Sequence, residues 1–340
     1  MRYKVLGGRT GLKVSTVALG TGLFGTAYGY GSELDEIDRM FNTYADAGGN
    51  FIDVSDAYQL GGSETAVGKF IAPRRDAFVV ASKYSRGVAS EPAVATVGNS
   101  RKVMVQSVEA SLKRLNTDRI DLYLAHLDDG ITPVEEIARG FDDLVRTGKV
   151  VYAGLSNFPA WRIAAAAMLA NLRGWAPIAA IQVQYSLVAR ATEQELLPMA
   201  AAIDLGVMGY SPLAAGLVTG KYRHGTEGRA STALKGSVPA MDARNEAIVE
   251  RLAAVANSLS CSPGAVALAW VERKGVIPVI GPRTHTQLLD NLTALDVVLS
   301  EDVMRQLDEA SALAPTYPHD ILAPQRQQMG LVAAQTGRVA

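Results

Sequence analysis

Cysteine is nearly missing from the 340 residues. Cys261 stands alone, so no intrachain disulfide can form and a Cys-rich metal site is excluded. Histidine is scarce as well: the four present, at positions 126, 224, 285 and 319, give a multi-histidine metal centre little to draw on. Nor is there an excess of one charge, since 33 Lys plus Arg against 34 Asp plus Glu leave a formal net charge of −1. That balance argues against a broad electrostatic grip on nucleic acid or on an anionic membrane. Long apolar runs are lacking too. The stretch Ile163–Leu172 (IAAAAMLANL) falls well short of the roughly 20 residues that span a bilayer, and Arg162 and Arg173 flank it. The opening MRYKVLGG is too short in its apolar part for a signal peptide. The expectation is a soluble, cytoplasmic protein with no membrane or nucleic-acid partner.

What is present is an ordinary globular composition, 48% hydrophobic and 20% charged, in a chain long enough to bury a sizeable core. Eight short β-rich runs alternate with helical patterns: Val17–Gly20, Asn50–Val54, Phe78–Ser82, Asp121–Ala125, Val151–Leu155, Ala180–Gln184, Val207–Tyr210 and Val276–Ile280. Several are almost continuously apolar, as strands buried on both faces should be. Between them, apolar spacing near 3.6 predicts helices over Glu33–Ala47, Arg101–Leu115, Pro133–Thr147, Ala160–Leu172, Glu193–Leu205 and Asn245–Leu259. Thr132-Pro133 reads as a cap followed by proline at the first helical position, and Gly148 and Gly206 as left-handed helix stops. Alternation of this kind implies a parallel sheet, and eight repeats predict a (β/α)8 barrel. The excess of about 90 residues over a minimal barrel of roughly 250 has visible homes. These are an N-terminal hairpin (Tyr3–Leu6, a turn at Gly7–Gly11, Lys13–Ser15), long loops near Ser85–Ser100 and Leu213–Asp242, and a tail, Ala314–Ala340. No linker composition divides the chain, so residues 1–340 are read as one domain.

A doubly wound sheet is the competing architecture, and it needs a phosphate-binding turn near the N-terminus. Gly20-Thr21-Gly22-Leu23-Phe24-Gly25 matches G-x-G-x-x-G after a strand. The third glycine should open a helix there, but TAYGYG follows, which is a loop. The next strand-end acid, Asp53, also lies beyond the usual spacing of about 20 residues. The match is a decoy: a flexible first loop whose glycines let a ligand come close.

Chemistry gathers elsewhere. Asp53, Lys83 and His126 each end one of three successive strands, and Tyr58 follows Asp53 on the next loop. In a barrel such positions converge on the C-terminal mouth. Burying a carboxylate or an ammonium alone is expensive, so the two should pair. The set suits proton transfer to a carbonyl oxygen. A phenol has a pKa near 10, and the expectation is that the Lys83 ammonium lowers that of Tyr58 while His126 orients the carbonyl. No serine or cysteine sits in a nucleophile motif, and two-carboxylate hydrolysis lacks its second acid. No side chain donates hydride, so a cofactor must.

At these residues the chain closely resembles the aldo-keto reductase superfamily. The matching segments are NFIDVSDAY (50–58), GGSE (61–64), SKY (82–84), SVEASLKRLNTDRIDLYLAH (107–126), GKVVYAGLSNF (148–158), IQVQYSLVAR (181–190), YSPLAAGLVTGKY (210–222) and IPVIGPRTHTQLLDNL (277–292). The pattern is nearer the bacterial branch that resembles potassium-channel beta subunits than the aldose reductase branch. The resemblance implies NADP(H) bound across the mouth and a catalytic tetrad of Asp53, Tyr58, Lys83 and His126. It implies that Ser156, Asn157 and Gln182 hold the carboxamide of the nicotinamide, that Tyr210 stacks on its ring, and that Ser211, Leu213, Gly216 and Lys221 wrap the pyrophosphate. Gly281, Arg283, Gln287 and Asn291 match the segment that holds the adenosine end, with Arg283 suited to a 2′-phosphate and hence to NADPH over NADH. Phe24, Tyr28, Tyr84 and Leu127 are the expected substrate wall.

Two departures stand out. Leu127 follows His126 where many relatives have a bulky aromatic, and Gly281 stands where the aldose reductase branch has lysine. The implied activity is reduction of a small-molecule aldehyde or ketone, or its reverse. The alternatives are a cofactor-binding regulatory subunit with little turnover, and a barrel lyase or hydrolase without nucleotide. Substrate, direction and oligomeric state are not encoded in any motif.

Overall fold

The computed structural model describes residues 1–224, 232, 236 and 238–329. An antiparallel hairpin comes first, β1 (Tyr3–Val5) with β2 (Lys13–Ser15). Eight strands follow: β3 (Ala18–Gly20), β4 (Phe51–Asp53), β5 (Val79–Tyr84), β6 (Ile120–Ala125), β7 (Val150–Ser156), β8 (Ile178–Gln184), β9 (Gly206–Tyr210) and β10 (Ile277–Ile280). They are parallel and close in chain order, with β10 pairing to β3. Around them lie α1 (Leu34–Asp46), α2 (Gly62–Ile71), α3 (Arg101–Leu115), α4 (Val134–Arg146), α5 (Ala160–Arg173) and α6 (Leu196–Ala202). The series ends with α7 (Ala243–Ser258), α8 (Pro263–Arg273), α9 (His285–Leu292), α10 (Glu301–Ala310) and α11 (His319–Gln328). The (β/α)8 barrel and the hairpin stand as the sequence predicts.

Strand alternation sorts side chains between two cores. Along β5, Val79 and Ala81 join the barrel interior with Phe51, Leu122, Leu124, Met208 and Ile277. Val80 and Tyr84 instead join the layer beneath the helices. The hairpin closes the floor. Fully buried Leu6 leads that closure, and a side chain of its kind contributes about 1.5–3 kcal/mol when buried.

Three local expectations are corrected. Gly206 is not a helix stop but the first residue of β9, where an added Cβ would lie 2.6 Å from Leu6 Cδ1. It is glycine because the floor plug needs the space, and Asp204 takes the left-handed turn with φ 58°. At α4, Pro133 occupies the N-cap itself, and the Thr132 hydroxyl donates to Asp129 Oδ2 at 2.6 Å instead of capping. The helix predicted over Glu193–Leu205 shrinks to α6, preceded by a short 3₁₀ turn at Ala191–Glu193. The loop expected at Leu213–Asp242 and the tail to Ala340 fall partly outside the described residues. Among those described, no single helix is long and apolar enough to cross a membrane.

Candidate active site

Asp53 ends β4, Lys83 lies near the end of β5 opposite Leu124, and His126 follows β6. All three are buried at the C-terminal mouth. Lys83 Nζ stands 2.7 Å from Asp53 Oδ1 and donates to the Val54 carbonyl at 2.9 Å and to the Tyr58 hydroxyl at 3.2 Å. An ammonium has three protons, and all three are thereby placed. The Tyr58 oxygen accepts from Lys83, so its own proton points elsewhere. The His126 ring meets Tyr58 edge-on, with centroids 5.7 Å apart. The four tetrad residues are together.

The turn that carries Tyr58 is strained. Gln59, Leu60 and Gly61 all have positive φ, at 51°, 54° and 86°. Such backbone persists only where surroundings over-determine it. Buried Gln59 is the anchor: its Nε2 donates to the Gly22 carbonyl at 3.0 Å and its Oε1 accepts the Tyr28 amide at 3.1 Å. The Tyr28 hydroxyl donates to the Ala57 carbonyl. The first loop and the tyrosine turn are thus laced together.

Electrostatics correct one expectation. Burial pushes the Tyr58 phenol above its ordinary value by more than Lys83 pulls it down, and Asp53 adds to the upward push. The reason is full burial, the largest influence, which outweighs the Lys83 charge even though that charge still pulls the phenol down. Burial alone would lower Lys83, but Asp53 and Tyr58 together raise it above the ordinary lysine value, so it stays an ammonium. Burial, then Lys83 and Arg86, holds His126 well below the ordinary histidine range, so the imidazole is neutral.

Farther round the mouth, Asn157 sits in the left-handed region with φ 56°. Its Nδ2 donates to the His126 carbonyl and to Ser156 Oγ, each at 2.9 Å, and its Oδ1 accepts the Tyr210 hydroxyl at 2.9 Å. Gln182 Nε2 donates to Asp53 Oδ1 at 2.6 Å, tying the carboxamide cluster to the tetrad. Beyond Tyr210 the backbone turns left-handed at Ser211, Ala214, Ala215 and Gly216, with Leu213 between them. Leu213 (φ −97°) followed by left-handed Ala214 is the kind of pair that turns backbone N–H groups into a concave, anion-binding nest, while the Ala214 and Gly216 amides donate to the Ser211 and Leu213 carbonyls. A Cβ on Gly216 would lie 2.5 Å from Lys221 Cε and 2.7 Å from its Nζ, so the ammonium lies over the glycine.

At the other end, the Arg283 guanidinium lies over the Tyr30 ring, 5.1 Å from its centroid, with a buried Nε that has no partner among the described residues. The Arg283 amide donates to Gln287 Oε1 at 2.8 Å, and buried Asn291 lies on the same helix, α9. Gly281 is exposed, with open space where a Cβ would stand.

The expected substrate wall divides. Tyr84 is corrected: it is fully buried and stacks on Tyr123 at 5.4 Å, under the helices. Lys83 points into the mouth, so the next residue in the strand must face the other way. Phe24 is also fully buried in the core, because its bridge to Ser32 folds the first loop back on itself. Tyr28 is half-buried and Leu127 is 44% exposed.

Several supports escape the sequence reading. Ser55 contacts the His126 imidazole and Asp56 contacts Ser55, and buried Glu64 joins Ser82 and Arg114 behind them. Their signal lay inside DVSDAY and GGSE, between residues already singled out.

Residues 16–312 match the model of the Aldo/keto reductase family. The chain is 34% identical over 331 residues to norsolorinic acid reductase of Aspergillus flavus, covering 94% of this chain and 84% of that one. It is 32% identical to an aryl-alcohol dehydrogenase [NADP(+)] of Phanerodontia chrysosporium, covering 94% and 88%. To a putative voltage-gated potassium channel subunit beta of Schizosaccharomyces pombe it is 31% identical, covering 91% and 93%.

Proposed function

The chain belongs to the aldo/keto reductase family and is an oxidoreductase; from that premise we propose that it reduces an aldehyde or ketone to the alcohol with NADPH, or runs the reverse, with Tyr58 as general acid and base. What supports this most is the Lys83–Tyr58 contact. With Lys83 donating, the phenol proton is free to go to a substrate oxygen, and the raised Tyr58 value keeps that proton on at neutral pH. Asp53 holds Lys83 in place and charged. The neutral His126 donates a second hydrogen bond to the same oxygen and orients the carbonyl. As Tyr58 gives up its proton, the adjacent ammonium stabilises the phenolate.

The residues present fit a nicotinamide dinucleotide. The left-handed run at Ser211–Gly216, with Lys221 over Gly216, suits a pyrophosphate. The unpartnered Nε of Arg283 suits a 2′-phosphate, which a planar guanidinium recognises well. Ser156, Asn157 and Gln182 would hold the carboxamide, and Tyr210 would stack on the ring. When bound, the reduced nucleotide supplies hydride to the carbonyl carbon.

Fluorescence titration with NADPH and with NADH, followed by a panel of aldehydes, ketones and alcohols, tests the proposal. We expect tighter binding of NADPH and turnover on part of the panel. Binding of neither nucleotide would overturn it. A regulatory subunit is a second reading, favoured by the relative named as a putative channel beta subunit. Its mark is tight NADPH binding with negligible turnover across the whole panel.

A further inference from the structure

Between Asp53 and Tyr58 lie Ser55 and Asp56, both fully buried and without a task in the proposed chemistry. Ser55 Oγ stands 3.1 Å from His126 Nδ1 and 3.2 Å from Asp56 Oδ1, and it accepts the Ala57 amide at 3.2 Å. A hydroxyl has one proton to give. It can go to the imidazole or to the carboxyl, not to both. A neutral imidazole donates from one nitrogen and accepts on the other, and the partner of one decides the form of both.

We infer that Asp56 is a positioning residue that sets the tautomer of His126 through the Ser55 hydroxyl. When Asp56 is a neutral acid, its O–H donates to Ser55 Oγ, Ser55 donates to Nδ1, and the imidazole proton resides on Nε2. When Asp56 is ionised, Ser55 turns to the carboxylate, Nδ1–H donates to Ser55, and Nε2 bears a lone pair. Ser55 makes its full set of bonds in either state. The proton that moves on or off Asp56 is exchanged with water.

Only the first form can donate from Nε2 to a carbonyl oxygen; the second can accept from an alcohol. This consequence rests on the role proposed above for His126, whereas the tautomer switch itself does not.

The surroundings of Asp56 extend the range of the neutral acid up to about pH 7. Its Oδ2 is buried with no partner, a heavy cost for a carboxylate and a small one for an acid. Glu64 from α2 and Arg114 from α3 bear on it, as does the Tyr123 phenol from β6, whose own oxygen is buried and unpartnered. Arg114 is already committed to Glu64 at 2.7 Å. Burial first, then Glu64, pushes Asp56 up to about 7, against the downward pull of Arg114, Ser55 and the Ala57 amide.

The test is ¹⁵N NMR of the full chain labelled at histidine. Four histidines give a simple spectrum, and His126→Asn identifies the signal of interest. In the wild type, we expect the Nδ1 and Nε2 signals of His126 to exchange character near pH 7 without forming imidazolium. In Asp56→Asn the amide donates to Ser55 at every pH, so Nε2–H should persist from about pH 6 to about pH 8.5. Ser55→Ala should abolish the switch. With NADPH and p-nitrobenzaldehyde, the wild-type KM should rise about tenfold over that range, more than kcat falls, while in Asp56→Asn it stays within about twofold. A wild-type tautomer that does not change across the range would overturn the inference without recourse to any variant. So would an Asp56→Asn protein that switches as the wild type does. A tautomer that switches while KM does not follow would uphold the relay and overturn the orienting role of His126.

Discussion

Lys83 donates to the Tyr58 hydroxyl at 3.2 Å, and this contact fixes where the phenol proton can go. Lys83 spends its other protons on Asp53 and the Val54 carbonyl. In the proposed reaction its charge would serve Tyr58 less by making it acidic at rest than by stabilising the phenolate once the proton has left. A buried acid that keeps its proton until a substrate takes it is suited to the direction of reduction.

Asp53 is the counter-ion of a fully buried ammonium. Removing one partner of such a pair leaves an uncompensated charge and costs about 3–5 kcal/mol. Asp53→Asn should lose stability of that order in urea denaturation. A loss under about 1 kcal/mol, the size of an exposed pair, would show that the ammonium finds other support.

Asp56 makes stability depend on pH. Its value in the folded chain lies at about 7, above the ordinary 3.8, so between these values the folded state binds more protons than the unfolded one. The stability it confers is full below 3.8 and is lost as pH rises through the folded value. Asparagine has no such dependence. Asp56→Asn should therefore gain on the wild type by up to about 1.4 kcal/mol per pH unit across that window and level off above it. Denaturation near pH 5 and near pH 8 measures this, and equal differences at the two would contradict it.

Gly216 has φ 93°, and a Cβ there would press on the Lys221 side chain. Gly216→Ala should raise the Kd for NADPH in a fluorescence titration by about tenfold or more, with the fold intact by circular dichroism. Unchanged affinity would remove the nest from the cofactor site.

Arg283 is the only residue assigned to the 2′-phosphate. Arg283→Gln should weaken NADPH binding by about 1.5–3 kcal/mol, the worth of a charge-assisted hydrogen bond, and leave the Kd for NADH nearly as it was. An equal loss for both nucleotides would place Arg283 on the adenine or on the shared phosphates.

The barrel was legible because strands buried on both faces announce themselves as apolar runs, and the tetrad because polar residues ending such runs need a reason. Other features were hidden by the same physics. In α8 every residue from Gly264 to Val271 is buried, so no periodic polar face marks it as a helix. The inward aim of Lys83 already implies that Tyr84 faces outward, a step that composition at the mouth obscured. The direction of the Tyr58 shift depends on how deeply the phenol is buried, set against the Lys83 charge beside it. Those are properties of the folded site, and no spacing in the sequence carries them. Ser55 and Asp56 passed unnoticed because a relay shows itself only when its distances are known.

The most direct measurement is single-turnover kinetics of Tyr58→Phe loaded with NADPH, beside a binding titration of the same protein. Phenylalanine keeps the ring against His126 and deletes only the hydroxyl proposed to deliver the proton. Reduction of p-nitrobenzaldehyde should slow by about 10²–10⁴-fold while NADPH affinity stays within about twofold. Turnover at the wild-type rate, with the nucleotide bound as before, would mean that the proton comes from another group and that Tyr58 is not the acid.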